Sequence, residues 1–89
     1  VYGPQDRKTI SSIIALGFFL SSNGRLEEAE PYYKESLRRS QIVFGERHPS
    51  TTVSMNNYGM LLLNKGQYID AEKLLRRTLE DRTSMLGQD

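Results

Sequence analysis

Few side chains in this 89-residue chain have the types and spacing that chemistry requires. His48 is the single histidine and is followed by Pro49. A general base needs a nucleophile or carboxylate partner within hydrogen-bond reach, and the sequence sets none beside it, so His48 reads as a turn residue. Glu27, Glu28 and Glu30 could form paired carboxylates or a metal site. At the head of a helix they equally suit the positive end of the helix dipole, with Glu30 and Lys34 as an i,i+4 pair, and a solvated face is the reading adopted. Arg38-Arg39 and Arg76-Arg77 stand late in two helices, as contacts for an acidic partner or as solvated helix ends. No Gly-rich phosphate loop and no metal-ligand spacing is present. No cofactor is therefore expected, and the chain reads as a non-enzyme.

The elements that would carry these residues follow from an internal repeat. An offset of 42 pairs residues 1–47 with 43–89. Eleven pairs coincide: Val1/Val43, Gly3/Gly45, Thr9/Thr51, Ser12/Ser54, Gly17/Gly59, Leu20/Leu62, Gly24/Gly66, Ala29/Ala71, Glu30/Glu72, Leu37/Leu79 and Gly45/Gly87. Composition alone would give about three, so the period sets the architecture. Ile13, Leu16, Gly17 and Leu20, and again Met55, Tyr58, Gly59 and Leu62, fall at i, i+3, i+4 and i+7 of a helix. Asn23-Gly24 and Lys65-Gly66 break these runs, where Gly takes the positive φ of a helix C-terminus. Second helices follow and stop at Gly45 and Gly87. His48-Pro49 bars continuation, and Ser50 or Thr51 is placed to cap the next helix. Four helices are expected, near 6–22, 26–44, 50–64 and 68–86, without strands. Gly17 and Gly59 sit mid-helix, where Gly costs about 1 kcal/mol against Ala. That cost implies a close neighbour, with Ala29 and Ala71 as the small facing residues.

Bulk composition narrows the partners. Twelve basic against eleven acidic residues leave a net charge of +1, which offers no electrostatic reason to expect nucleic acid or an anionic membrane. No apolar run approaches the length of a membrane span. The chain has no cysteine, which fits a reducing compartment and equally fits chance at this length. A cytoplasmic location is the expectation. Val1 and Leu86-Gly87 look like cuts in something longer, so residues 1–89 are read as one segment of a longer array, with repeat 1 over about 6–47 and repeat 2 over about 48–89.

At Gly17–Gly24–Leu26–Ala29 and Gly59–Gly66–Tyr68–Ala71 the chain resembles the tetratricopeptide repeat. The longer unit, with Phe44-Gly45, His48-Pro49 and Asn56-Asn57 before Gly59, looks like the kinesin light chain and nephrocystin kind of array. The resemblance covers essentially the whole chain. The first unit departs from it, with Ile14-Ala15 where the Asn pair would fall and Gly3-Pro4 in place of His-Pro. It implies an all-α solenoid of two antiparallel helix hairpins. It also implies that one side of each helix A lines a concave groove for a partner protein or peptide. On that side would stand Ser11, Ile14, Phe18 and Ser21, with counterparts Val53, Asn56, Met60 and Leu63 and with Asn57 and Asn64 alongside. An Asn amide both donates and accepts, as an extended backbone requires, and Met60 and Phe18 would supply an adaptable apolar floor. Ile14 and Phe18 could instead pack on an adjacent repeat. The chain is thus expected to be a peptide-binding scaffold. The alternatives are a structural spacer or oligomerisation segment, or regulatory repeats attached to an enzyme elsewhere. Neither end carries a cap, so the 89-residue chain is expected either to melt low or to stack with other copies.

Overall fold

A glycine at positive φ closes each of the first three helices. The computed structural model describes residues 4–86, with side chains from residue 7 onward. The helices are α1 (Pro4–Ser22), α2 (Leu26–Phe44), α3 (Pro49–Asn64) and α4 (Tyr68–Leu86), and the described residues contain no strand. Gly24, Gly45 and Gly66 have φ of 79°, 90° and 83°. At the two tight turns the pattern of a Schellman cap is complete. Gly24 N–H donates to Ser21 O and Arg25 N–H to Leu20 O, and Gly66 and Gln67 do the same to Leu63 and Leu62. The expected stop at Gly87, and the recurrences at Val1 and Gly3, lie outside the described residues.

Consecutive helices pack in chain order, α1 on α2, α2 on α3 and α3 on α4. Three-residue turns make α1–α2 and α3–α4 antiparallel hairpins. The buried cluster of Ala29, Tyr33 and Leu61, flanked by Leu20, Leu26 and Tyr58, draws on the first three helices. It joins the two hairpins into one core.

Four details differ from the sequence-based expectations. The cap of α3 is His48 rather than Ser50 or Thr51. The residue before Pro49 is held in extended backbone, at φ −110° and ψ 143°, and its Nδ1 accepts from Ser50 N–H at 3.0 Å. Thr51 is turned inward instead. Its hydroxyl is shared between the Gly45 carbonyl at 2.6 Å and the Ser40 carbonyl at 3.1 Å. The mid-helix glycines face Tyr33 and Leu75, not Ala29 and Ala71. A β-carbon at Gly17 would lie 3.3 Å from Tyr33 Cζ, and one at Gly59 2.5 Å from Leu75 Cδ2. Helical side chains lean toward their own N-terminus, so the residue one turn beyond each alanine covers the glycine's level. Finally, Leu16, one of the four residues on the apolar side of its helix expected from the i, i+3, i+4, i+7 spacing, is exposed. Its counterpart Tyr58, also just before the mid-helix glycine, reaches from α3 to Glu30 of α2. That direction from α1 leads to no described helix.

Candidate functional site

The contact between the hairpins is unusually polar. Ser40 and Ser54 hydroxyls meet at 3.0 Å and, with Thr51, form a buried seam between α2 and α3. Among the described residues every buried side-chain polar atom has a partner, so desolvating the seam leaves nothing unpaired. Glu30 continues it. This carboxylate is not on a solvated face as expected from sequence: it is half-buried, and it accepts from Tyr58 Oη at 2.8 Å and from Lys65 Nζ. The Lys65 ammonium beside it holds the Glu30 carboxyl below its ordinary range. The Lys65 ammonium is pushed up in turn by Glu27 and Glu30, and the Tyr58 phenol by burial and by Glu30. Lys34, the expected i,i+4 partner, stands farther from Glu30 at 3.8 Å. Glu28 pairs with Arg25 at 2.7 Å. The acidic cluster is therefore matched by cations.

The arginine pairs are also matched. Arg38 and Arg39 both donate to Glu35, and together, Arg38 foremost, they draw its carboxyl down to about 2. Arg76 pairs with Glu72 at 2.8 Å, and Arg77 reaches Glu46 in the α2–α3 connection at 2.6 Å. His48 has a structural environment, with its ring stacked on Phe44 at 4.6 Å between centroids. Arg7 lies 5.5 Å from the centre of the same Phe44 ring.

Exposed apolar side chains occur on all four helices, and those expected to line a groove lie on α1 and α3. Val53, Asn56, Asn57, Met60 and Asn64 share one stripe of α3, spaced as one helical face requires. Val53 is 53 % and Met60 47 % exposed, Asn64 is exposed, and Asn56 and Asn57 are half-buried. Phe18 is 67 % exposed at the equivalent place on α1, one residue after the mid-helix glycine as Met60 is. Ser21 of α1 is half-buried, as Asn56 and Asn57 of α3 are. Two clefts meet at Val53. One of about 390 Å³ lies between α1 and α3 and includes Arg7, Ser11, Ile14 and His48. The other, of about 340 Å³, includes Asn56 of α3 with Arg82, Met85 and Leu86 of α4. Sequence reasoning did not name Arg7 or Arg82 for this face. No local pattern marks them, because each reaches the clefts from a different helix. The arrangement offers amides, hydroxyls and apolar surface, with the Arg7 and Arg82 guanidinium groups beside them, all of which can hold a ligand.

Comparison with known proteins agrees with this architecture. The tetratricopeptide repeat family matches residues 8–84. Among curated relatives, a clustered mitochondria protein homolog of Aspergillus niger is 30 % identical over 86 residues, covering 97 % of this chain and 7 % of the relative. One from Emericella nidulans shows the same figures, and one from Aspergillus oryzae is 29 % identical over the same span. The chain thus spans only 7 % of the length of these relatives.

Proposed function

The chain belongs to the tetratricopeptide repeat family, and from that premise we propose that it is a binding scaffold whose helix A face, on α1 and α3, receives a segment of a partner protein. The observation that carries the reading is the exposure of Phe18, Val53 and Met60 on the two helices A, with Asn56, Asn57 and Asn64 in the same stripe. Large apolar side chains left in water beside unspent amides have most to gain from a ligand. The unit is proposed to be 42 residues long, of the kinesin light chain and nephrocystin kind, with repeats over about 6–47 and 48–89. The equal separation of Gly17 from Gly24 and of Gly59 from Gly66 supports it. The name of these relatives favours a second reading, that these repeats serve a clustered mitochondria protein.

Asn56→Ala tests the scaffold reading. Losing one side-chain hydrogen bond costs about 0.5–1.5 kcal/mol, or roughly two- to twelve-fold in affinity. The expected result is weaker binding of a peptide selected on the wild-type chain, with an unchanged melting temperature. Unchanged binding would favour the spacer reading.

A further inference from the structure

Charge is distributed unevenly among the helices. From Thr9 to Ser22 and from Pro49 to Asn64 the sequence contains no Asp, Glu, Lys, Arg or His. From its Thr9 onward α1 is therefore neutral, as is the whole of α3, while the start of α1 carries Asp6, Arg7 and Lys8 and α2 and α4 carry charges in almost every turn. Large apolar side chains on a helix are ordinarily covered by protein. Here Phe18, Val53 and Met60 are instead about half or more exposed. At the Val53 end of this strip Arg7 and Arg82 line the two clefts.

Charge complementarity selects the occupant. An ammonium laid along the strip, or a carboxylate placed away from the Arg7 and Arg82 that line the clefts at Val53, would surrender its hydration to a face with no charge of its own, a cost that apolar contact does not recover. A neutral apolar side chain meets no such penalty and covers surface that now faces water. Methionine and phenylalanine adapt to varied apolar shapes, and the asparagines answer the partner's backbone whatever its side chains. We infer that the strip receives an uncharged, apolar stretch of another protein, seated along Val53, Met60 and Phe18 with its backbone against Asn56 and Asn57. Apolar contact and amide hydrogen bonds govern recognition, and ion pairs do not. This inference rests on the scaffold reading above and specifies the ligand for the same face.

An array of random-sequence peptides of about twelve residues, probed with the labelled 89-residue chain, tests it. The strongest binder is then titrated by fluorescence anisotropy against wild type, Phe18→Ser, Met60→Ser and Leu79→Ser, the last on the outer side of α4. The expected binders are neutral and apolar. Their affinity should change less than about two-fold when salt rises from about 0.05 to 0.5 M, because screening acts only on charge. Phe18→Ser and Met60→Ser should each weaken binding about ten-fold or more, with helical circular dichroism intact, and Leu79→Ser should not. Binders enriched in Asp and Glu or in Lys and Arg, with affinity that falls as salt rises, would overturn the inference. If such binders still depended on Phe18 and Met60, the scaffold reading would survive. Neutral binders indifferent to Phe18 and Met60 but lost in Leu79→Ser would overturn both. An array with no binders would overturn the inference as well.

Discussion

Leu75 of α4 lies directly over Gly59 of α3, so closely that a β-carbon at residue 59 would stand 2.5 Å from Leu75 Cδ2 and 2.7 Å from Cγ. The second hairpin closes through the absence of a side chain. Gly17 meets Tyr33 less tightly, at 3.3 Å.

Gly59→Leu is therefore expected to destabilise the chain by about 1–3 kcal/mol through overpacking. Glu35→Gln removes only exposed ion pairs to Arg38 and Arg39 and should cost less than about 1 kcal/mol. Gly59→Ala should lower the melting temperature more than Gly17→Ala. Equal shifts for Gly59→Leu and Glu35→Gln would contradict the assigned packing.

Glu30 gives the link between hairpins an acid limit. Its folded-state carboxyl lies below the ordinary range because Lys65, chiefly, favours the charged form. A depressed carboxylate contributes stability above its unfolded pKa and loses it as pH falls through the folded value. Denaturant melts between about pH 6 and pH 3 should show this loss in wild type. Glu30→Gln should be less stable at neutral pH by about 1–3 kcal/mol, having lost a charged hydrogen-bond acceptor, and its melts should fall less steeply in acid. Parallel pH profiles for the two proteins would rule out the coupling.

His48 contributes a cap and a ring, and two substitutions separate them. His48→Ala removes both the acceptor for Ser50 N–H and the stack on Phe44. Its expected cost is about 0.5–2 kcal/mol for the cap and about 0.5–1.5 kcal/mol for the stack. His48→Asn keeps a capping side chain and should recover the first part only. Thermal melts in which Asn is no better than Ala would show that the cap contributes nothing.

The helix boundaries were legible because each rests on one residue's backbone. Gly24, Gly45 and Gly66 adopt a φ that other residues avoid, and the expected ends fall within two residues of those observed. The seam was not legible, because Glu30 and Lys65 stand 35 positions apart and Ser40 and Ser54 stand 14 apart. Their meeting depends on how α3 settles on α2, which no local spacing encodes. For the same reason the sequence identified Phe18, Val53 and Met60 as candidates for a free face, yet gave no sign that Arg7 and Arg82 would border the clefts.

The last prediction concerns the two outer faces. Phe19 and Leu61 each stand two positions after the mid-helix glycine, yet Phe19 is 62 % exposed and Leu61 2 %. The difference is α2, which covers Leu61 through Ala29 and Tyr33. At the other end Tyr68 stands two positions after Gly66, as Leu26 does after Gly24. Leu26 packs against the core, whereas Tyr68 is 67 % and Leu79 66 % exposed. The outer side of α4 thus presents what α2 presents to α3, and the outer side of α1 presents what α3 presents to α2. A second copy is therefore expected to dock head to tail, continuing the contact already made inside the chain. Sedimentation of the 89-residue chain should show mass rising with concentration, and the melting temperature should rise in step. Phe19→Ser and Leu79→Ser should each shift association to higher concentration by about ten-fold, since each removes one large apolar contact worth about 1.5–3 kcal/mol when fully buried. Neither should unfold the monomer, because both residues already face water. A monomer at every concentration, with a high and constant melting temperature, would show that two hairpins suffice alone and that these faces do not require a neighbour.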